Sequence, residues 1–284
     1  MTLENIKIVG MKYYNDLVNS IFIKDLDSLL IIDTGIKKGK DALLSEILKN
    51  DFKKFFVIIT HGHPDHLGNN FMLKENFNPI FIANTCSKKM IEDYKYQFKT
   101  VVGRASDHYE VTDKLKKSYF NMMDKEIKVD ILFHEKMYLN LGNIELKIIN
   151  LPGHTLGDIG IIDKKNKTLI LSELIFKHSR NMIIYIDDFN KYINSLEIVK
   201  NIITKEDIIR LITSHEEKII FGKDNILKLI KYNIDYIKGL KEKIDKLHNK
   251  GYSIRKISEE ICKMYEKALT PDSIVAVKSM LYQD

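Results

Sequence analysis

The chain has 284 residues and a mass of 33.2 kDa, with 44% hydrophobic and 30% charged residues. These values are ordinary for a globular protein with a sizeable core, and they exclude a wholly disordered chain. No apolar stretch approaches the ~20 residues of a membrane span, and the first residues lack the pattern of a signal peptide. Two cysteines, Cys86 and Cys262, cannot form a disulfide framework. We therefore expect a cytoplasmic protein that makes no membrane contact.

The formal net charge of +6 raises the question of nucleic-acid binding. Only four of the 45 basic residues are arginine, the residue on which sequence readers depend, and the 39 acidic residues are interspersed with the lysines. Nucleic acid is therefore not an expected partner. The lysine-rich segment 238–250 is interpreted as a solvated helix face. The alternative for this segment is a contact to an acidic substrate tail such as that of glutathione or coenzyme A.

The first part of the chain is rich in strand patterns. Short apolar runs predict strands over residues 6–9, 20–23 and 28–32, with a hairpin turn at 25–27 between the last two. Leucines and isoleucines spaced three or four apart predict a helix over 39–50. The continuous apolar run at 55–60 then predicts a strand that is buried on both faces.

Residues 86–127 are mostly polar with helical spacing, which predicts two helices inserted as a lid between two strand systems. Strand patterns resume at 129–133, 136–140, 144–149, 159–162 and 168–171, followed by a helix over 189–203 and a strand over 208–213. From about residue 222 the chain is predicted to be helical, with a break at Gly251 and a final pair of helices after the capping residue Ser253. This order favours two packed sheets with helices outside.

The segment that follows the buried strand contains three histidines and one aspartate within residues 61–66. Imidazole and carboxylate ligands suit zinc, iron or manganese. The spacing lets His61 and His63 reach one ion across a tight loop. Asp65 and His66 then point elsewhere, which suits a second ion nearby.

This His-x-His-x-Asp-His motif after an apolar strand resembles the metallo-β-lactamase superfamily of binuclear metallohydrolases. Further segments similar to the family's motifs occur in the same order: a strand ending in Asp-x-Gly at 30–35, Leu-Pro-Gly-His-Thr-Leu-Gly-Asp at 151–158, a strand ending at 168–173, and Ser-His at 214–215. The resemblance covers about residues 5–216. It implies a four-layer αββα sandwich with the metals at one end of the paired sheets.

The resemblance also implies a domain organisation and a set of ligands. Residues 1–220 would form the metallo-β-lactamase-like domain, with a helical lid at about 86–127, and residues 221–284 a helical C-terminal extension packed on the core. Carried over residue by residue, the metal ligands are His61, His63 and His154 for the first ion, Asp65, His66 and His215 for the second, and Glu173 as the bridge between them.

Position 173 departs from the family, which has Asp where this chain has Glu, and Ser172 replaces the usual glycine. The longer glutamate can still bridge two ions, but its extra methylene moves the oxygens or requires the backbone to retreat. The other interpretations are a weak second site, a different metal, or a degenerate protein without catalytic activity.

Two divalent ions close together would lower the pKa of a shared water, polarise the substrate and supply a bridging hydroxide as nucleophile. Asp65 would orient this hydroxide and accept a proton, as the catalytic residue. Asp33 and Asp158 are candidates to support the ligating imidazoles.

The acid that protonates the leaving group is not assigned. In some lactonases of the family a tyrosine stands three residues after the bridging carboxylate, but this chain has Phe176 there. Tyr185 and His178 on the following loop are substitutes, although a packing or surface role is preferred for each.

The predicted function is hydrolysis of an ester, thioester or lactone, as in the similar hydroxyacylglutathione hydrolases and acyl-homoserine-lactone lactonases. The alternatives are a phosphodiesterase or nuclease with the same binuclear site, or a non-catalytic effector. The expected cofactor is two divalent ions per chain, zinc before iron or manganese. The expected partner is a small-molecule substrate, and the oligomeric state stays open, a homodimer included.

Overall fold

The computed structural model describes residues 5–13, 16–176 and 182–282, which form a four-layer αββα sandwich around two six-stranded sheets. In spatial order, the first sheet consists of β1 (Ile6–Tyr13), β2 (Asp16–Asp25), β3 (Ser28–Ile32), β4 (Lys54–Ile59), β5 (Ile80–Asn84) and β6 (Ile131–Phe133). The second sheet consists of β7 (Lys136–Asn140), β8 (Glu145–Asn150), β9 (Ile159–Asp163), β10 (Thr168–Leu171), β11 (Arg210–Thr213) and β12 (Ile220–Phe221).

The helices cover the outer faces of the two sheets. In chain order they are α1 (Lys40–Ile47), α2 (Asn70–Phe77), α3 (Lys88–Glu92), α4 (Tyr94–Val101), α5 (Asp113–Phe120), α6 (Phe189–Lys205), α7 (Lys223–His248), α8 (Ile254–Met264) and α9 (Pro271–Leu281). Within the described residues, none of these helices is both long and apolar enough to cross a membrane.

Strands β3 to β6 pair in parallel, so their carboxyl ends lie at the same edge of the first sheet. In the second sheet β10 pairs in parallel with β11, and the remaining pairs are antiparallel. The predicted hairpin between β2 and β3 is confirmed, with Leu26 in the left-handed conformation at φ 48°. The loops that carry residues 61–66 and His215 leave the parallel-paired strands β4 and β11 at their carboxyl ends, and the loop that carries His154 follows β8.

The central strands are buried on both faces, as the apolar run at 55–60 predicts. In β3, Leu30 and Ile32 pack in the core between the two sheets, whereas Leu29 and Ile31 pack under the outer helices. In β4, Ile58 likewise faces the second sheet while its neighbours face the helices. Because successive side chains of a strand point to opposite faces, one apolar run contributes both to the core between the sheets and to the core under the helices.

The fold class is confirmed, but four local predictions need correction. The sequence patterns assigned no element to α2 and β5, which both lie between the histidine-rich loop and residue 86, or to the short strand β12. The lid contains three helices rather than two, because Asp93 has an extended backbone that ends α3. Its side chain accepts a hydrogen bond from the Tyr96 amide at 2.9 Å and begins α4.

The C-terminal helices follow the predicted breaks. Gly251 ends the α7 segment at φ 79°, and the Ser253 hydroxyl accepts a hydrogen bond from the Lys256 amide at the start of α8. Helix α9 contributes Ala276 and Val277 to the core of the second sheet, and Ile274 and Val275 to the core of the first. The C-terminal helices therefore pack against both halves of the sandwich.

Gly153 lies directly before His154 in the loop between β8 and β9, where the backbone is tightly packed against α6. A Cβ atom at Gly153 would lie 2.2 Å from the Tyr192 Cα atom, and the backbone has φ +148°. We expect Gly153→Ala to lower the free energy of unfolding by about 2–5 kcal/mol, because it adds both overlap and backbone strain. Denaturant unfolding monitored by circular dichroism measures this change.

The matched control is Gly239→Ala in α7, where an added Cβ meets no atom within 4 Å. It should leave stability unchanged or raise it by about 0.5–1 kcal/mol, since alanine favours a helix over glycine. Equal effects of the two substitutions would contradict the described packing of Gly153 against α6.

Candidate metal centre

Four loops from both sheets converge at one end of the sandwich. The segment after β4 supplies residues 61–66, and the loop between β8 and β9 supplies His154. Glu173 follows β10, and His215 follows β11. Because the parallel strands end at this edge, side chains that are distant in sequence come together here.

The seven side chains predicted as ligands form two groups of four. In each group the candidate ligand atoms all lie within 4.8 Å of one another, and Glu173 belongs to both. The groups are His61, His63, His154 and Glu173, and Asp65, His66, His215 and Glu173. The structure therefore brings together all seven predicted ligands, divided between two groups as expected; metal binding by them stays a prediction.

One oxygen of Glu173 lies at the centre of the cluster. Its Oε1 atom is 3.7 Å from His61 Nε2, 3.6 Å from His154 Nε2, 3.3 Å from His66 Nε2 and 3.2 Å from His215 Nε2. The extra methylene of glutamate is thus accommodated, and the carboxylate reaches the imidazoles of both groups.

The imidazoles of the first group suit metal binding chemically. The Nε2 atoms of His61 and His63 are buried and have no hydrogen-bond partner within the described ranges. Burial and the neighbouring imidazoles hold the pKa of His61 well below its usual value, and burial followed by His154 lowers the pKa of His63 to about 3. Both rings are therefore neutral at pH 7, the form in which histidine binds metal.

His66 is held by an aspartate that the sequence analysis named as a candidate support. Burial alone would lower the pKa of His66, but the carboxylates of Asp33 and Asp65 raise it well above its usual value. The Asp33 Oδ2 atom lies 2.7 Å from His66 Nδ1, and the same carboxylate accepts hydrogen bonds from the amide and hydroxyl of Thr60 at 2.8 and 2.7 Å. This contact fixes the ring with its Nε2 atom toward Glu173.

The other imidazoles also have partners at Nδ1. Ser172 Oγ lies 3.0 Å from His61 Nδ1, so the serine that replaces the family's glycine contacts a predicted ligand. His154 Nδ1 lies 2.8 Å from the Tyr185 carbonyl oxygen, and His215 Nδ1 lies 2.6 Å from the carbonyl oxygen of Leu17. Such contacts orient ligating histidines and set their tautomers.

Asp158, the other aspartate named as a candidate support, is buried and lies beside His61. Its Oδ1 atom is 3.6 Å from His61 Nδ1, and its Oδ2 atom accepts a hydrogen bond from the Thr155 amide at 2.8 Å. Burial raises the pKa of this carboxyl well above its usual range. The carbonyl of Tyr185, and not Asp158, partners His154.

Sequence reasoning missed Tyr13. Its hydroxyl donates a hydrogen bond to Asp65 Oδ2 at 2.6 Å. Burial raises the pKa of Asp65, but His66, His215 and this hydrogen bond outweigh it, so the net pKa is lowered. No motif marks Tyr13, because the contact arises only when the edge strand β1 packs beside the site.

A cavity of about 260 Å³ opens over the cluster and is bounded by the lid and the start of α9. Tyr185 lines it, whereas the ring of Phe176 packs on Tyr236 at 5.4 Å between centroids. None of the described lysines of segment 238–250 lines this cavity. His178, the other substitute named from the sequence, lies outside the described residues.

The sequence matches the family model of the metallo-beta-lactamase superfamily over residues 13–209. It is 30% identical over 151 residues to an uncharacterized protein of Aquifex aeolicus, a match that covers 53% of this chain and spans only 61% of that protein. It is 26% identical over 174 residues to the hydroxyacylglutathione hydrolase GloC of Haemophilus influenzae, covering 61% of this chain and 73% of that protein.

The fold superposes on the crystal structure of a metallo-beta-lactamase family protein from Thermus thermophilus with a TM-score of 0.76. The match covers 98% of this chain and 93% of the other, at 13% sequence identity. At this identity the likeness establishes the fold alone.

The contact between Asp33 and His66 gives a test of the second group. Asp33→Asn keeps the size of the side chain but removes the charge that fixes the ring, so we expect metal affinity to fall by about 10- to 100-fold. Competition with a chromophoric chelator measures the affinity.

Asp130→Asn is the control, since Asp130 accepts a hydrogen bond from the Phe81 amide at the opposite end of the sheet. If both variants bind metal as the unaltered protein does, Asp33 does not support the site.

Proposed function

Because this chain belongs to the metallo-beta-lactamase superfamily, we propose that it is a binuclear metallohydrolase that cleaves an ester, thioester or lactone bond. The observation that carries the proposal is the single Glu173 oxygen placed 3.2–3.7 Å from four imidazole nitrogens of two ligand groups. The Nε2 atoms of His61 and His63 are buried and have no hydrogen-bond partner among the described residues, and they fit a divalent ion because neutral imidazoles offer such an ion their lone pairs.

Each residue of the cluster has a proposed role. His61, His63 and His154 would hold one ion, Asp65, His66 and His215 would hold the other, and Glu173 would be shared between them. When bound, the two ions lower the pKa of water toward neutrality and polarise the carbonyl of the substrate. Asp65 orients the attacking water and accepts its proton, with Tyr13 fixing the carboxylate by its hydrogen bond of 2.6 Å.

The cavity supports an acyl substrate. Val101, Leu115, Met122 and Pro271 form apolar walls beside His63 and Asp65. A small apolar cavity with a few polar groups at one end suits a short acyl chain whose carbonyl faces the cluster. The hydroxyacylglutathione hydrolase among the relatives acts on a substrate of this class.

The remaining assignments extend this proposal. Zinc is the metal we propose, with two ions per chain, because the ligand set of imidazoles and carboxylates suits it. Residues 1–220 form the catalytic domain, and residues 221–284 form an extension that closes the cavity with Thr270, Pro271 and Asp272. We place the protein in the cytoplasm and assign it a small-molecule substrate.

The test is hydrolysis of a panel that contains an acyl thioester, a lactone and bis-p-nitrophenyl phosphate. The untreated protein should contain about two metal ions per chain and cleave the acyl substrates. His61→Ala should lower kcat/KM by at least about 100-fold, because the first ion loses a ligand. Elemental analysis and initial rates measure both effects.

The control is His134→Ala, a histidine outside the cluster whose ring contacts Thr85 Oγ1 at 3.1 Å. It should leave both the metal content and the rates unchanged. If protein prepared without chelator contains no metal, the proposal is contradicted. Cleavage of the phosphodiester alone would favour the phosphodiesterase alternative.

A further inference from the structure

Three tyrosines line the described wall of the cavity, and the hydroxyls of two of them form hydrogen bonds within the protein. The hydroxyl of Tyr13 donates to the Asp65 carboxylate at 2.6 Å, and the hydroxyl of Tyr185 accepts a hydrogen bond from the Arg104 guanidinium at 3.3 Å. The hydroxyl of Tyr119 is buried and has no hydrogen-bond partner among residues 5–13, 16–176 and 182–282. Within the described cavity wall, Tyr119 is therefore the tyrosine whose hydroxyl makes no hydrogen bond within the protein.

An unpaired buried hydroxyl is unfavourable, and native proteins seldom leave one without a reason. The ring of Tyr119 packs in the lid, 5.1 Å from Phe98 and 5.6 Å from Phe120 between centroids. Phenylalanine would make the same ring contacts without the unpaired oxygen. The hydroxyl therefore contributes nothing favourable to the ligand-free fold, which points to a role when a ligand is present.

The side chain of Tyr119 belongs to the wall of the cavity over the cluster. Tyr119 is only 5% exposed, and Asp65, Tyr185 and Asp272 line the same cavity. Burial, followed by these neighbours, raises the pKa of the phenol well above its usual value. The phenol thus keeps its proton at neutral pH and is able to donate a hydrogen bond.

We propose that the Tyr119 hydroxyl donates a hydrogen bond to an uncharged oxygen of an acyl substrate whose chain packs on the apolar wall of Val101 and Leu115. The inference rests on the proposed hydrolase function. The hydrogen bond forms in the substrate complex, since such contacts are often absent from ligand-free enzymes and tighten when substrate binds. One donor in an otherwise apolar wall fixes the orientation of the carbonyl beside the cluster.

Tyr119→Phe in the metal-loaded protein is the test, with Tyr94→Phe as the matched control. Tyr94 is also a buried tyrosine of the lid, but its hydroxyl donates to the Lys125 carbonyl at 3.1 Å and does not line the cavity. The measurements are kcat/KM for a hexanoyl thioester, the Kd of ε-caprolactam by calorimetry, and the Tm without ligand. The lactam is an uncharged carbonyl probe that needs no turnover.

We expect Tyr119→Phe to lower kcat/KM about tenfold and to raise the Kd of the lactam about tenfold, as loss of one neutral hydrogen bond predicts. Its Tm should stay unchanged or rise, because an unpaired buried hydroxyl is removed. Tyr94→Phe should lower the Tm and leave kcat/KM and Kd unchanged.

The outcomes separate this inference from the proposed function. Unchanged kcat/KM and Kd in Tyr119→Phe would overturn the inference while the hydrolase proposal stands. A protein that cleaves no acyl substrate, but whose Tyr119→Phe variant binds the lactam more weakly, would overturn the proposed function and retain Tyr119 as a ligand donor. If the protein neither cleaves an acyl substrate nor binds the lactam, both the inference and the proposed function are overturned.

Discussion

The buried carboxylate of Glu173 is the constraint on which the rest of the site depends. Its Oε1 atom lies within 3.7 Å of four imidazole nitrogens that come from three separate loops. A carboxylate in this position is costly unless positive charge compensates it. The neutral rings at His61 and His63 supply little of that charge, and His66, whose pKa is raised, supplies part of it. Divalent ions are the further compensation that we propose.

The fold holds this arrangement from outside the cluster. Asp33 ends β3 with φ 57° and contacts both His66 and Thr60, while Ser172 contacts His61. These partners come from both sheets, so the packing of the sandwich itself sets the spacing of the two ligand groups. The replacement of glycine by serine and of aspartate by glutamate at 172 and 173 is therefore accommodated locally rather than disruptive.

Much of this site could be predicted from the sequence, because its candidate ligands lie in short motifs that follow apolar strands. The histidines of 61–66 are marked by their spacing, His154 by the resemblance of residues 151–158 to a motif of the family, and the strand buried on both faces by its continuous apolar run. Tyr13 and Tyr119 could not be found in this way, since each enters the site through tertiary packing with no local motif. Sequence proximity does not give the direction of a side chain either, since Asp158 follows His154 closely in the chain but its carboxylate lies beside His61.

The errors in the fold prediction lie where the sequence patterns are weakest. Helix α2 and strand β5 are short and escaped detection, and the break inside the lid depends on the backbone of a single residue, Asp93. The lid and the C-terminal helices nevertheless form part of the wall over the cluster, because Val101, Leu115 and Pro271 line the same cavity. Under the proposed function, substrate selection therefore depends on segments outside the histidine motifs.

The most direct measurement of the central claim is anomalous X-ray diffraction at the absorption edge of the bound metal, on crystals of protein never exposed to chelator. The account predicts two peaks about 3.5–4 Å apart, one beside each ligand group, with the Glu173 carboxylate bound to both at about 2.0–2.2 Å. A single peak, or a Glu173 side chain that contacts neither ion, would contradict it.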